Sequence, residues 1–171
     1  FIASMTLGSM SYPAAALGGA GSRLPAAIAT TRPPSMQPLK TYIVEDSQII
    51  RESLVATLEE LVPVQVVGTA EDESTAVHWL QQPGHGVDLL IVDIFLKGGS
   101  GLGVLRAVSG LATGPTTVVL SNYTTPDMRR KCIELGADRV FDKSHDIDAL
   151  MLYCARLAAG EGGAGEPAQA R

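Results

Sequence analysis

Leu89-Leu90-Ile91-Val92 is a run of four apolar residues with no polar alternation, and it delivers Asp93 at its carboxyl end. A strand with one face in water alternates apolar and polar residues, whereas a strand covered on both faces reads as a continuous apolar run. The tetrapeptide therefore predicts the central strand of a parallel sheet with helices on both sides. Parallel neighbours cannot be joined by tight hairpins and need crossover connections, usually helical. The rest of the chain is then required to alternate strand with helix.

That alternation is present along residues 38–158. Leu39–Val44 is a short apolar run that ends abruptly at Glu45-Asp46. Ile50, Leu54, Leu58 and Leu61 then recur at helical spacing, with Ser47 placed to cap the free amides. Residues 64–67 read as a second strand closed by Gly68. Asp72 opens a shorter helix that buries Ala76, Val77 and Leu80 and ends near Pro83-Gly84, with His85-Gly86 continuing the connector. A glycine-rich loop after Asp93 leads to a third helix on Leu102, Leu105 and Val108. A fourth strand follows at 116–120, ended by Ser121. Thr125-Pro126 supplies a cap and a first-turn proline for a helix striped by Met128, Cys132 and Leu135 and stopped by Gly136. A fifth strand at 139–141 runs into Lys143, and Asp146 caps a last helix burying Ile147, Leu150, Cys154 and Leu157. The expected fold class is α/β, a doubly wound five-stranded parallel sheet with helices on both faces.

A length of 171 residues suits one such domain plus tails. Residues 1–37 are rich in Ala, Gly, Ser and Pro, carry only Arg23 and Arg32 as charges and show no period, which predicts a disordered or non-native extension. A secretory signal fits less well, because a basic start is missing and Gly, Pro and Ser interrupt the apolar run. Met36 stands just before the first strand as an alternative start. Residues 159–171 are expected to be a disordered tail, so that output leaves through the domain itself. Nothing reaches the apolar length needed to cross a bilayer, and a cytoplasmic protein is expected. A net charge of -5, with no Lys/Arg cluster, argues against direct nucleic-acid binding. Cys132 and Cys154 lack metal-ligand spacing and read as small apolar residues of a reducing compartment. His78, His85 and His145 fall outside the acidic constellation described next, and Trp79 reads as packing.

In an open parallel sheet, ligands bind beyond the carboxyl ends of the strands. Here the first strand ends in Glu45 and Asp46, the third in Asp93 and the fourth in Ser121, and the fifth leads to Lys143. Each has a bland reading as a cap, a loop hydroxyl or a solvated lysine, and taken singly the bland reading is favoured. Together, three acids in one crevice repel one another and call for a cation. Oxygen ligands without His or Cys select a hard ion, and magnesium suits a site that also holds phosphate oxygens.

The motifs VEDS, LLIVD, LSN and FDKS, in this order and spacing, resemble the response-regulator receiver family over about residues 38–158. The resemblance implies a CheY-like, flavodoxin-like sheet in strand order 2-1-3-4-5. It makes Asp93 the phosphoacceptor and Mg2+ the cofactor. Asp46 is expected to bind the ion directly and Glu45 through water or as its partner, with the Phe95 carbonyl as a further ligand. Ser121 matches the hydroxyl that moves to the phosphoryl group, and Lys143 the lysine that pairs with it. The implied function is a single-domain response regulator of a two-component phosphorelay, not a dedicated enzyme. Its partners would be a histidine kinase or histidine phosphotransfer protein, and a downstream protein at the fourth helix, fifth strand and fifth helix, which carry Met128, Arg129, Arg130 and Tyr153.

Departures matter too. Lys97 stands where many receivers have proline, and Val140 where an aromatic residue often swings inward, with Phe141 beside it. Asn122 follows Ser121 where a smaller residue is common. Phe95 and Tyr123 are expected to flank the site on either side and to slow self-dephosphorylation. A phosphorylation-independent interaction module is the alternative reading. An aspartyl phosphatase would place a second Asp where Phe95 stands, and a dinucleotide-binding domain would show glycines where EDSQ follows the first strand.

Overall fold

The computed structural model describes residues 37–161. The extension expected over residues 1–37 lies outside them but for its last residue, as does the tail from residue 162. The strands are β1 (Leu39–Val44), β2 (Val64–Ala70), β3 (Leu89–Val92), β4 (Thr116–Ser121) and β5 (Arg139–Asp142). The helices are α1 (Gln48–Leu61), α2 (Glu73–Leu80), α3 (Gly101–Ser109), α4 (Pro126–Glu134) and α5 (Ile147–Ala158). The strands form one parallel sheet in the order β2-β1-β3-β4-β5, as the resemblance implied.

All of β3 is buried, and its side chains divide between the two layers by simple alternation. Leu89 and Ile91 join α1 and α5 through Leu54, Leu58, Leu150 and Cys154. Leu90 and Val92 join α2 and α3 through Ala76, Leu80, Val104 and Val108. A smaller cluster of Leu105, Val119, Cys132 and Ala137 seats α4. Both cysteines are buried and free, and burial pushes the Cys154 thiol up to about 12.

Three sequence expectations need correction. Gly68 does not close β2, which continues to Ala70. Thr41 pairs with Val66 and Tyr42 with Gly68, so Val67 is the extra residue of a bulge. The glycine is there for space: a Cβ would sit 2.7 Å from the Tyr42 ring, itself stacked on Trp79 at 4.2 Å between centroids. On α1, Leu54 and Leu58 reach the core but Ile50 and Leu61, in the first and last turns, stay exposed. Asp146 occupies the N-cap position of α5 without a side-chain cap bond. Its carboxylate instead accepts from the Asp142 amide at 2.9 Å. The caps at Ser47 and Thr125 form as expected, and the Asp72 side chain caps α2.

Candidate functional site

The winding of the sheet reverses between β1 and β3, and the crevice at their carboxyl ends is where the charged residues converge. Backbone pairing carries past the named strands: the Glu45 amide donates to Ala70 O at 3.0 Å and the Asp93 amide to Val44 O at 2.9 Å. Glu45 and Asp93 are therefore held in the sheet plane and are buried, at 2% and 7% exposure. Asp46 is half-buried beside them. One carboxylate oxygen from each of Glu45, Asp46 and Asp93 lies within 4.8 Å of the others.

Lys143 enters from β5, its amide on Ser121 O at 3.1 Å. Its ammonium reaches Glu45 Oε2 at 2.5 Å and Asp93 Oδ2 at 2.6 Å. Burial by itself would lower the lysine's pKa, but the hydrogen bonds and charges of Asp93 and Glu45 outweigh it and hold the ammonium above its ordinary value. A buried ion group of this kind is costly to break, since removing one partner leaves a desolvated charge unpaired. The remaining oxygens are met by main chain. Glu45 Oε1 accepts from the Ser47 amide at 3.1 Å, and Asp93 Oδ1 from the Phe95 amide at 3.2 Å. Asp46 Oδ2 accepts from the Lys97 amide at 3.1 Å. Ser121 is fully buried, and its hydroxyl alone among the described buried side-chain polar atoms has no hydrogen-bond partner. An orphaned buried hydroxyl costs about 1–3 kcal/mol, so the site contains a donor waiting for an acceptor.

The structure thus brings Glu45, Asp46, Asp93 and Lys143 together and places Ser121 at the adjoining strand end. It turns Phe95 outward: the ring is exposed and meets Tyr123 edge-on, centroids 5.2 Å apart. The two rings were expected on either side of the site; they touch each other instead. Val140 packs toward α4, whereas Phe141 is buried on the α1/α5 face, because neighbours on a strand point to opposite layers. Phe141 cannot stand in for an aromatic residue at position 140. His78, His85 and His145 contribute nothing to the acidic cluster.

Sequence reasoning missed Arg51, which donates to Glu45 O and to Glu71 Oε1, both at 2.7 Å, with a side chain only 12% exposed. Its signal was a charge on the same helical stripe as Leu54 and Leu58. The Lys97 amide was also missed, although a residue other than proline there keeps an N–H to give.

Three carboxylates with no His or Cys form a donor set for a hard, oxygen-seeking cation, and the residues present fit Mg2+. Comparison with known proteins agrees with this fold. The family model for the response regulator receiver domain matches residues 41–155. A protein-glutamate methylesterase/protein-glutamine glutaminase of Myxococcus xanthus is 33% identical over 119 residues, covering 69% of this chain and 34% of that protein. The fimbriae Z protein of Salmonella typhimurium is 27% identical over 113 residues, covering 66% and 53%. The chain thus spans about a third to a half of the length of these relatives. Among solved structures, the response regulator domain of Thermotoga maritima CheB superposes with a TM-score of 0.63 at 20% identity, covering 76% of this chain and 99% of that one. The receiver domain of RcsB from Salmonella enterica, determined with phosphomimetic BeF3-, gives 0.65 at 22% identity, covering 77% and 94%. No helix among the described residues is long and apolar enough to cross a membrane.

Proposed function

The chain belongs to the response regulator receiver domain family, and from that premise we propose that residues 38–158 work as the phosphoacceptor of a cytoplasmic two-component relay. An Asp93 carboxylate oxygen attacks the phosphorus of a phosphohistidine on a sensor kinase or phosphotransfer protein. The P–O bond forms as the P–N bond breaks, and the released imidazole takes a proton. Asp46, Asp93 and the Phe95 carbonyl would hold Mg2+, with Glu45 acting through water or as partner, and the ion would supply neutralisation of charge on the phosphoryl oxygens. Lys143 must give up part of its hold on Asp93 and turn to the new dianion. The Ser121 hydroxyl, lacking a partner, supplies the second charge-assisted contact. Movement at the end of β4 then passes to the face of α4, β5 and α5, where a downstream protein binds. The protein is a switch with slow self-dephosphorylation, not a dedicated enzyme.

The observation that carries this reading is the Lys143 ammonium spanning Glu45 and Asp93 in a buried crevice. The test is intact-mass spectrometry after incubation with acetyl phosphate, with and without Mg2+, on the wild type and Asp93→Asn. A magnesium-dependent phosphoryl adduct absent from the variant is expected. If neither acetyl phosphate nor a panel of phosphorylated kinases produces an adduct, the chain is a phosphorylation-independent interaction module.

A further inference from the structure

The loop between β3 and α3 carries Phe95 and Lys97 and closes tightly on itself. Its base is the Gly101 amide on Ile94 O at 2.9 Å. Its tip touches the acidic crevice through the Lys97 amide on Asp46. Something must hold that tip, because a glycine-rich segment has large conformational freedom to lose.

The structure supplies the holder from α2. The Glu73 amide donates to Gly98 O at 2.9 Å, and the Glu73 carboxylate accepts from the Ser100 amide at 2.8 Å. The fit depends on missing side chains. A Cβ at Gly98 would lie 2.8 Å from Asp72 Cβ, one at Gly99 would lie 2.6 Å from Glu73 Cβ, and one at Gly103 would run into Glu73 Oε1. Gly99 also has φ +91°, the left-handed region. Gly103 sits in the first turn of α3, where glycine is about 1 kcal/mol worse than alanine. That cost has an evident return, since the space it leaves is the seat of the Glu73 carboxylate.

We propose that Glu73 is a positioning residue for the acidic site: seated in the space left by Gly99 and Gly103, it fixes the β3–α3 loop so that the Lys97 amide meets Asp46. Glu73 is not one of the clustered carboxylates and acts through the loop. Its effect on Mg2+ rests on the reading proposed above; its effect on the loop does not.

The test combines amide hydrogen exchange in the metal-free protein with Mg2+ titration followed by amide NMR shifts, on Glu73→Ala, Glu73→Gln, Gly103→Ala and the double variant Glu73→Ala/Gly103→Ala. Melting curves confirm that each variant folds. Glu73→Ala should speed exchange at Lys97 and Ser100 roughly tenfold and weaken Mg2+ binding by about the same factor, the low end of what orienting partners of metal ligands contribute. Glu73→Gln keeps the acceptor and should stay near wild type. Gly103→Ala should copy Glu73→Ala by evicting the carboxylate, and should add nothing in the double variant. Unchanged Lys97 exchange in a folded Glu73→Ala protein, or full additivity in the double variant, overturns the proposal. A wild type whose shifts ignore Mg2+ would sink the metal reading instead, and the Lys97 amide would still decide the role of Glu73.

Discussion

On the α2/α3 flank of the crevice, the hydrogen bonds of Glu73 act together with close approach of the main chain, which leaves no room for side chains. Gly98, Gly99, Gly101 and Gly103 each sit where a Cβ would overlap a neighbour, and at Gly101 that neighbour is the main chain of Asp93 and Ile94. On the α4/β5 flank, the chain is held by polar contacts. Arg129 donates to Val140 O at 2.7 Å and Thr124 O at 3.2 Å, and Thr124 Oγ1 donates to Asp142 Oδ2 at 2.9 Å. A steric seat tolerates almost no displacement, since packed interiors do not deform continuously. A set of hydrogen bonds can be exchanged for another at small net cost. The flank carrying Asp46's partner thus has less room for displacement than the flank beyond Ser121.

The largest expected effect falls on the tighter side. Gly101→Ala should cost about 3 kcal/mol, the upper range for forcing a methyl into a filled site. The sign is informative, because at an unconstrained helical position the same change would gain about 1 kcal/mol. Urea unfolding measures it, and a neutral or stabilising result would show that close approach is not part of what holds this loop. Arg129→Met keeps much of the stem's packing and deletes the donors. It should cost about 2 kcal/mol, the usual range for hydrogen bonds to a charged group. A loss equal to that of Gly101→Ala would erase the contrast between the flanks.

The two flanks were unequally legible in the sequence. The ends of β1 and β3, the caps at Ser47 and Thr125 and the four charged residues of the crevice follow from local pattern, chiefly an apolar run with polar residues at or just past its carboxyl end. Gly136 reads directly as a helix stop and has φ +97°. Gly68 and Gly103 do not read so, because their purpose is a ring or a carboxylate arriving from another segment. Arg129 was assigned to the output surface by resemblance, and its hydrogen bonds tying α4 to β5 were not legible in that assignment. The pairing of Phe95 with Tyr123 was illegible for the same reason, since it depends on where two loops meet.

That aromatic pair is a contact between the flanks, Phe95 coming from the β3–α3 loop and Tyr123 from the loop after β4. If the joined rings shield the acyl phosphate from water, Tyr123→Ala should shorten its lifetime roughly tenfold, equivalent to about 1.4 kcal/mol of barrier. Acid-quenched time courses of the phosphorylated protein measure this. An unchanged lifetime would mean that the pair is a surface contact without influence on the chemistry.

The smallest effect separates the flanks by pH. Asp142 is held below the usual carboxylate range, first by the Ser144 amide, then by the Thr124 hydroxyl, with smaller help from the charges of His145 and Arg129. A carboxyl group lowered by folding adds stability that is complete above its unfolded value of about 3.9 and is lost as pH falls through the folded value. Acid should therefore loosen Thr124 and Ser144 only below about pH 4. The Gly101 amide, bonded to a main-chain carbonyl, offers a reference on the other flank. Amide shifts followed from pH 5 downward should give Ser144 a midpoint below about 3.9, abolished in Asp142→Asn, and leave Gly101 flat over the same range. A Ser144 midpoint at or above the unfolded value, or a matching curve at Gly101, would mean that acid acts on the crevice as a whole and that the polar flank has no titration of its own.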